Sequence, residues 1–295
     1  MTSTIRNLIY KSTVFCVEMF RRIKPSFKVH TSEETLLEII KHHKSIARFG
    51  DGEFNLILGR DMKFQSTDSD MANRLSSVLQ SSGNSNNCLV AIPRALYRLD
   101  GLTFASKKFW LMYSAKNIKA LSTLLNSDYE YWDSQISRIY INRADKTRST
   151  KLFSTWKKIW KNQKILIVEG EYSRLGVDND LFNSAKSIRR ILCPPHDAYS
   201  VYDDILDEIV NLQGTFDLIV LAIGPTATLM AYDLSNRGFW AIDTGNLDME
   251  YEWKRQSVTK QTAVSGKFTI EAPDGENSQE LTDPRYKQQI IKKIQ

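Results

Sequence analysis

Short apolar runs alternate with amphipathic segments through most of the chain. Ile165-Leu166-Ile167-Val168 and Leu218-Ile219-Val220-Leu221-Ala222-Ile223 are apolar without interruption. Strands of a parallel sheet read this way because helices cover both of their faces. Strands are expected at 45–49, 88–92, 164–169, 187–193, 217–223 and 239–243. Helices are expected at 71–79, 116–125, 150–160, 201–212 and 226–235. Thr31-Ser32-Glu33-Glu34 supplies the capping residues of a further helix start, ahead of Leu36, Leu37, Ile39 and Ile40. This alternation predicts an α/β fold: an open, mostly parallel sheet with helices on both faces. Such sheets bind ligands beyond the carboxyl ends of their strands.

The ends of the chain read differently. Residues 1–28 mix Ile5, Leu8, Ile9, Phe15 and Phe20 with basic residues, as a basic amphipathic helix would. That helix could lie on a membrane surface, or pack on its own domain or a second subunit. The aromatic-rich stretch 104–140 is expected to form a helical excursion over the sheet. From about 269 the chain turns polar and ends in a short basic amphipathic segment, 286–294. The expected organisation is therefore an N-terminal helix (1–30), a main domain (31–268) and a polar tail (269–295).

Composition narrows the classes. The 295 residues are 42% hydrophobic and 25% charged, ordinary for a globular protein. Cys16, Cys88 and Cys193 are odd in number and widely spaced, which fits buried thiols in a reducing compartment. No apolar run reaches the length of a membrane span, and no clear signal peptide is present, so a cytoplasmic location is expected. The formal charge of +6 suits phosphorylated ligands or anionic lipid. A nucleic-acid partner is not expected, because no aromatic-basic or recognition-helix motif accompanies the charge.

Candidate chemistry sits where the apolar runs end. Arg48-Phe49-Gly50-Asp51-Gly52-Glu53 places two carboxylates two residues apart. If the strand continued, both would point to one side. Paired hard oxygen ligands on an open loop suit Mg²⁺ or Mn²⁺; an acidic turn is the alternative. A second loop, Glu169 through Phe182, follows the Ile165–Val168 run. Arg174 there could fork onto a phosphate, while Asn179 and Asp180 could cap a helix near Leu181 or contact a ribose or base. A third, Gly224-Pro225-Thr226-Ala227-Thr228, offers Thr226 as a helix N-cap or a phosphate contact. Asp243-Thr244-Gly245-Asn246-Leu247-Asp248-Met249-Glu250-Tyr251-Glu252-Trp253 then carries more carboxylates than a turn needs, one of which could act as a general base. No Gly-x-Ser-x-Gly elbow, P-loop or dinucleotide fingerprint is present.

Taken in order, these four stretches resemble the GT-D-fold glycosyltransferases, the family DUF1792, over residues 40–253. The resemblance implies a Rossmann-like sheet and a UDP-sugar donor, typically UDP-glucose. It also implies a divalent metal at Asp51 and Glu53, serving the diphosphate. Residues expected around the nucleotide-sugar are Arg48, Gly50, Gly224 and Thr226. Tyr172, Arg174, Gly176, Val177, Asn179, Asp180 and Phe182 would complete that shell. The sequence departs from the family at Asn246, where a histidine is common; asparagine cannot carry a proton at neutral pH.

The reading that results is metal-dependent transfer of a sugar, glucose in the first instance, to a hydroxyl of a glycan, glycoprotein or lipid-linked acceptor. Mn²⁺ or Mg²⁺ and Arg174 would neutralise the leaving diphosphate. Glu250 and Asp248, ahead of Asp243, would take the acceptor's proton. A metal-dependent nucleotide phosphohydrolase and a non-catalytic nucleotide-sugar-binding protein are the rival readings. Contact of residues 1–28 with the inner face of the membrane, and self-association, are further expectations.

Overall fold

The computed structural model describes residues 28–63, 65–81, 87–276, 281 and 283–295. The N-terminal amphipathic segment lies outside them, apart from its last residue. In chain order the elements are β1 (Lys28–Val29), α1 (Ser32–His42), β2 (Ser45–Arg48), α2 (Asp51–Ile57) and α3 (Ser69–Gln80). Then follow β3 (Cys88–Ile92), α4 (Phe104–Leu124), β4 (Glu130–Asp133), α5 (Thr147–Ile159), β5 (Lys164–Gly170) and β6 (Ser187–Cys193). The remainder comprises α6 (Tyr202–Asn211), β7 (Leu218–Ala222), α7 (Thr226–Asn236), β8 (Ala241–Asp243), α8 (Leu247–Arg255), α9 (Pro284–Gln289) and β9 (Ile290–Lys293).

Among the described residues the strands form one nine-stranded sheet in the order β1-β4-β3-β2-β8-β7-β5-β6-β9. Every pairing is parallel. Period-two alternation divides each central strand between two cores. Ala47, Val90, Leu166, Val168, Ile219 and Leu221 face α3, α6 and α7. Ile46, Leu89, Ile165, Ile167, Leu218 and Val220 face α1, α5 and α8. Each Val, Leu or Ile among them, fully buried, contributes roughly 1.5–3 kcal/mol. The uninterrupted apolar runs are thus the sign of a two-sided core.

The capping box expected at α1 is present: Thr31 Oγ1 accepts from Glu34 N at 3.2 Å, and Glu34 accepts from Thr31 N at 2.8 Å. Other elements differ from expectation. Residues 51–57 form a helix, not an open loop, so strand alternation does not govern Asp51 and Glu53. Residues 178–182 make turns with no helix near Leu181. The carboxylate-rich stretch after Asp243 is mostly α8. Helix α4 starts at Phe104, well ahead of the expected 116. The stretch expected to be a helical excursion also contains β4, and the short basic segment expected at 286–294 divides between the end of α9 and an edge strand, β9. Neither short strand has an apolar run; long-range pairing makes them, through Ala91↔Trp132 and Leu192↔Lys293.

Candidate functional site

A cavity of about 600 Å³ opens at the carboxyl ends of the strands. Its floor comes from the turns after β2, β4, β5, β7 and β8. Phe109 and Trp110 of α4 and the segment 268–271 form walls. Met62 and Gln65 reach it from a loop pinned by Asp197, which accepts from Ser66 N at 2.6 Å. This is the crevice where a parallel sheet ordinarily takes its ligand.

Asp51 and Glu53 both line the cavity, from the first turn of α2. The helix N-terminus is aimed into the site, and its dipole favours negative charge there. Glu53 Oε2 accepts from Gly50 N at 2.6 Å, which anchors the turn. Burial pushes Glu53 up to about 7. Burial also raises Asp51, against a smaller opposing effect of Arg138. The Asp51 carboxylate has no ion pair or hydrogen bond to another residue among the described ones. The Met62 side chain packs against Gly52, where a Cβ would lie 2.4 Å from Met62 Cε and push that flexible tip aside. No group of three or more His, Cys, Asp and Glu side chains gathers as a metal site among the described residues. Two carboxylates, one of them unengaged, suit a Mg²⁺ or Mn²⁺ ion that completes its shell with water and substrate phosphate oxygens.

Arg48 is occupied by the scaffold. Its Nε donates to Asp243 O at 2.8 Å and Nη2 to Asp243 Oδ1 at 2.9 Å. Its Nη1 donates to Ser134 O at 2.9 Å and Ser137 Oγ at 2.6 Å. This guanidinium joins the ends of β2, β4 and β8. Gly245, at φ +46°, makes room for it: a Cβ there would lie 2.0 Å from Arg48 Nη2. Asp243 lines the cavity but is buried and paired with Arg48.

The loop after β5 mostly builds the wall from behind. Gly170, Ser173 and Leu175 line the cavity, whereas Tyr172, Arg174, Gly176, Val177, Asn179, Asp180 and Phe182 do not. Arg174 Nη1 donates to Gly266 O at 2.6 Å, and Tyr172 O accepts from Phe268 N at 2.9 Å. Both ties hold the segment leading to 271. Gly176 N and Asn179 Nδ2 donate to Asp248 Oδ1, at 2.9 and 2.8 Å. Asp180 binds Lys157 and Tyr251, at 2.7 and 2.6 Å. Val177 packs with Leu192 and Tyr286, and Phe182 packs on Trp160. In the third motif Gly224 lines the cavity. Thr226 does not: it is the first residue of α7, after Pro225 at the N-cap, and its buried Oγ1 has no partner among the described residues.

Of the carboxylates on α8, Asp248 lines the cavity and is paired with Lys267 Nζ at 2.5 Å. Glu250 does not line it. Its Oε2 accepts from Tyr140 N and Ile141 N, at 2.7 and 2.9 Å, and its buried Oε1 has no partner among the described residues. Burial raises its pKa, opposed by Arg138. Arg138 and Glu271 face each other across the cavity wall as a bidentate pair, and Asn246 Nδ2 also donates to Glu271. Burial works to raise Glu271, but Arg138's charge and hydrogen bonds outweigh it and hold the carboxyl below its usual range.

A family model described as the glycosyltransferase GT-D fold matches residues 46–272. The chain belongs to this family. GT-D structures similar to it include one described as a new glycosyltransferase (DUF1792) from Streptococcus sanguinis. That structure has a TM-score of 0.86 and 32% identity, covering 91% of this chain and 100% of its own. Another, described as showing that DUF1792 has a distinct glycosyltransferase fold, has a TM-score of 0.86 at 33% identity, covering 93% of this chain and 98% of its own. Curated relatives include glycosyltransferase GlyD of Streptococcus pneumoniae serotype 4, 32% identical over 100% of this chain. The probable glycosyl transferase Gly of Streptococcus gordonii is 32% identical over 88% of it. The chain spans 35% and 38% of the lengths of these two proteins.

In this GT-D chain, motif reading found Asp51, Glu53, Gly224 and the Asp243–Asp248 strand end. It missed Arg138, Glu271, Gln135 and the Phe109–Trp110 wall. Arg138 stands alone in an unremarkable stretch, and Glu271 lies in the segment read as a polar tail. Only the closing of the chain over the strand ends brings them together.

Proposed function

We propose that this GT-D domain transfers a sugar, glucose in the first instance, from a UDP-sugar to a hydroxyl of a glycan or glycoprotein acceptor. One observation carries the reading: Asp51 presents a carboxylate that is unpaired among the described residues, beside Glu53, inside the cavity at the strand ends. The names of the similar proteins from three streptococcal species agree with glycosyl transfer as the class of reaction. Asp51 and Glu53 would hold Mn²⁺ or Mg²⁺, which when bound supplies positive charge to the diphosphate leaving group. The chain's own part is to position the donor at the N-terminus of α2 and to exclude water beneath Phe109 and Trp110. A carboxylate must accept the acceptor's proton; access to the cavity favours Asp248 and Asp243 over Glu250. Phe109 is 46% exposed at the cavity, a suitable face for the apolar side of an acceptor sugar.

Among the described residues no helix is long and apolar enough to cross a membrane. Peripheral contact through residues 1–28 therefore stays a separate proposal, as does self-association. The deciding experiment is turnover of UDP-glucose with Mn²⁺ and a panel of glycan acceptors. Asp51→Ala and Glu53→Ala should each lower glycosyl transfer by at least 100-fold, about 3 kcal/mol of barrier. Undiminished transfer would remove the metal role, and release of phosphate independent of acceptor would point to a phosphohydrolase.

A further inference from the structure

Two cationic side chains, Arg48 and Arg138, line the cavity among the described residues. Arg48 is saturated by Asp243, Ser134 and Ser137, and breaking those bonds would strand a buried aspartate. Arg138 is different. Among the described residues its guanidinium has a single ion-pair partner, the Glu271 carboxylate, which it meets through both Nη atoms. A guanidinium fork fits a carboxylate and a phosphate by the same geometry. Glu271 belongs to a segment without helix or strand, which joins the wall through Phe268 N to Tyr172 O and Thr269 N to Gly275 O. Both partners are partly open to the cavity, with side-chain exposures of 29% and 19%. Arg138 also acts electrostatically on Asp51, so it stands on the side of the cavity where the diphosphate's counter-ion would be held.

We propose that Arg138 is the residue that binds the donor diphosphate, and that Glu271 is an internal placeholder which yields the guanidinium when the donor enters. The inference rests on the nucleotide-sugar reading above and assigns to Arg138 the role that the motif gave to Arg174. No covalent bond changes; one anionic partner replaces another on the same fork. The placeholder keeps the cation paired and oriented in the empty site, and its displacement costs part of the donor's affinity.

The test is calorimetric titration of the full chain with UDP and, separately, inorganic pyrophosphate, each with Mn²⁺. Wild type is compared with Arg138→Ala, Arg138→Lys and Glu271→Gln, with circular-dichroism melts alongside. Arg138→Ala should weaken both ligands by about 100-fold, and Arg138→Lys, which keeps charge but loses the fork, by less. Glu271→Gln should tighten both by about ten-fold. A purely structural pair predicts the opposite sign, so this variant decides the matter even if Arg138→Ala does not fold. Wild-type affinity in Arg138→Ala, or weaker binding in Glu271→Gln, would overturn the proposal while leaving the nucleotide-sugar reading intact. Wild type that binds neither UDP nor pyrophosphate would overturn that reading and the proposal with it.

Discussion

Single residues in this cavity carry opposite burdens. Arg48 and Asp243 neutralise each other, whereas Asp51 and Glu53 pay for burial without a cation of their own. For Glu53 the consequence is a pH dependence with a definite sign. Its native value, about 7, lies above the ordinary 4.5. In metal-free protein the native state therefore binds this proton more tightly than the unfolded chain does. The stabilisation is complete below about pH 4.5 and is lost as pH rises through about 7. Between pH 5 and pH 8, urea denaturation in EDTA should show wild type losing about 2.5 kcal/mol more than Glu53→Gln. Parallel losses in the two proteins would mean that Glu53 is not held in a desolvated site. If Glu53 serves as a metal ligand, metal added at pH 8 should recover stability in wild type only, because the ionised carboxylate would bind it.

At the scale of elements, α8 is the clearest case of a segment whose sequence suggests chemistry while its position supports architecture. Asp248 ties α8 to the loop after β5 and to Lys267, and Glu250 ties it to the turn at 140–141. Glu250→Ala would leave two buried backbone N–H groups without an acceptor. The expected cost is about 2–6 kcal/mol, since each stranded donor costs roughly 1–3 kcal/mol. Glu250→Gln keeps an acceptor for both and should recover most of that loss in thermal melts. Catalysis by Glu250 would show the reverse pattern, with near-normal stability and lost turnover in both variants. The motif after β5 teaches the same point: Gly176, Asn179 and Arg174 are placed by hydrogen bonds that hold α8 and the 264–272 segment. Polar residues next to glycine read as ligand contacts in a sequence, yet a chain that must turn sharply behind a binding wall uses the same residues.

For the whole molecule, the last residues complete the sheet and support its buried polar centre. Strand β9 pairs along β6, and Lys293 Nζ reaches Glu171 at 2.6 Å. Beneath it lies the buried Arg190–Glu169 pair at 2.6 Å; Arg190 Nε also donates to Gln289 Oε1, and the Tyr286 hydroxyl donates to Glu169. Deleting residues 281–295 should expose the β6 edge and loosen that pair. The expected result is a melting temperature lower by at least 10 °C, with concentration-dependent association in size-exclusion chromatography. Unchanged melting and a monodisperse profile would show that the terminal strand is dispensable.

The sequence by itself determined the class of fold, the central strands, the capped start of α1 and the two carboxylates at the cavity. Each is set by a local rule: unbroken apolar runs for strands buried on both faces, a capping box within four residues, and acidic side chains set between glycines where an apolar run ends. Tertiary structure alone decided which polar residues face the cavity and which brace it. It placed Arg138 against Glu271 across a long stretch of sequence, turned Arg48 and Arg174 toward carbonyls, and made β4 and β9 into strands. The physical reason is that a charged side chain's role depends on the partner it meets and the solvent it loses. An edge strand likewise depends on the neighbour it pairs with. Neither is encoded within the few residues around it.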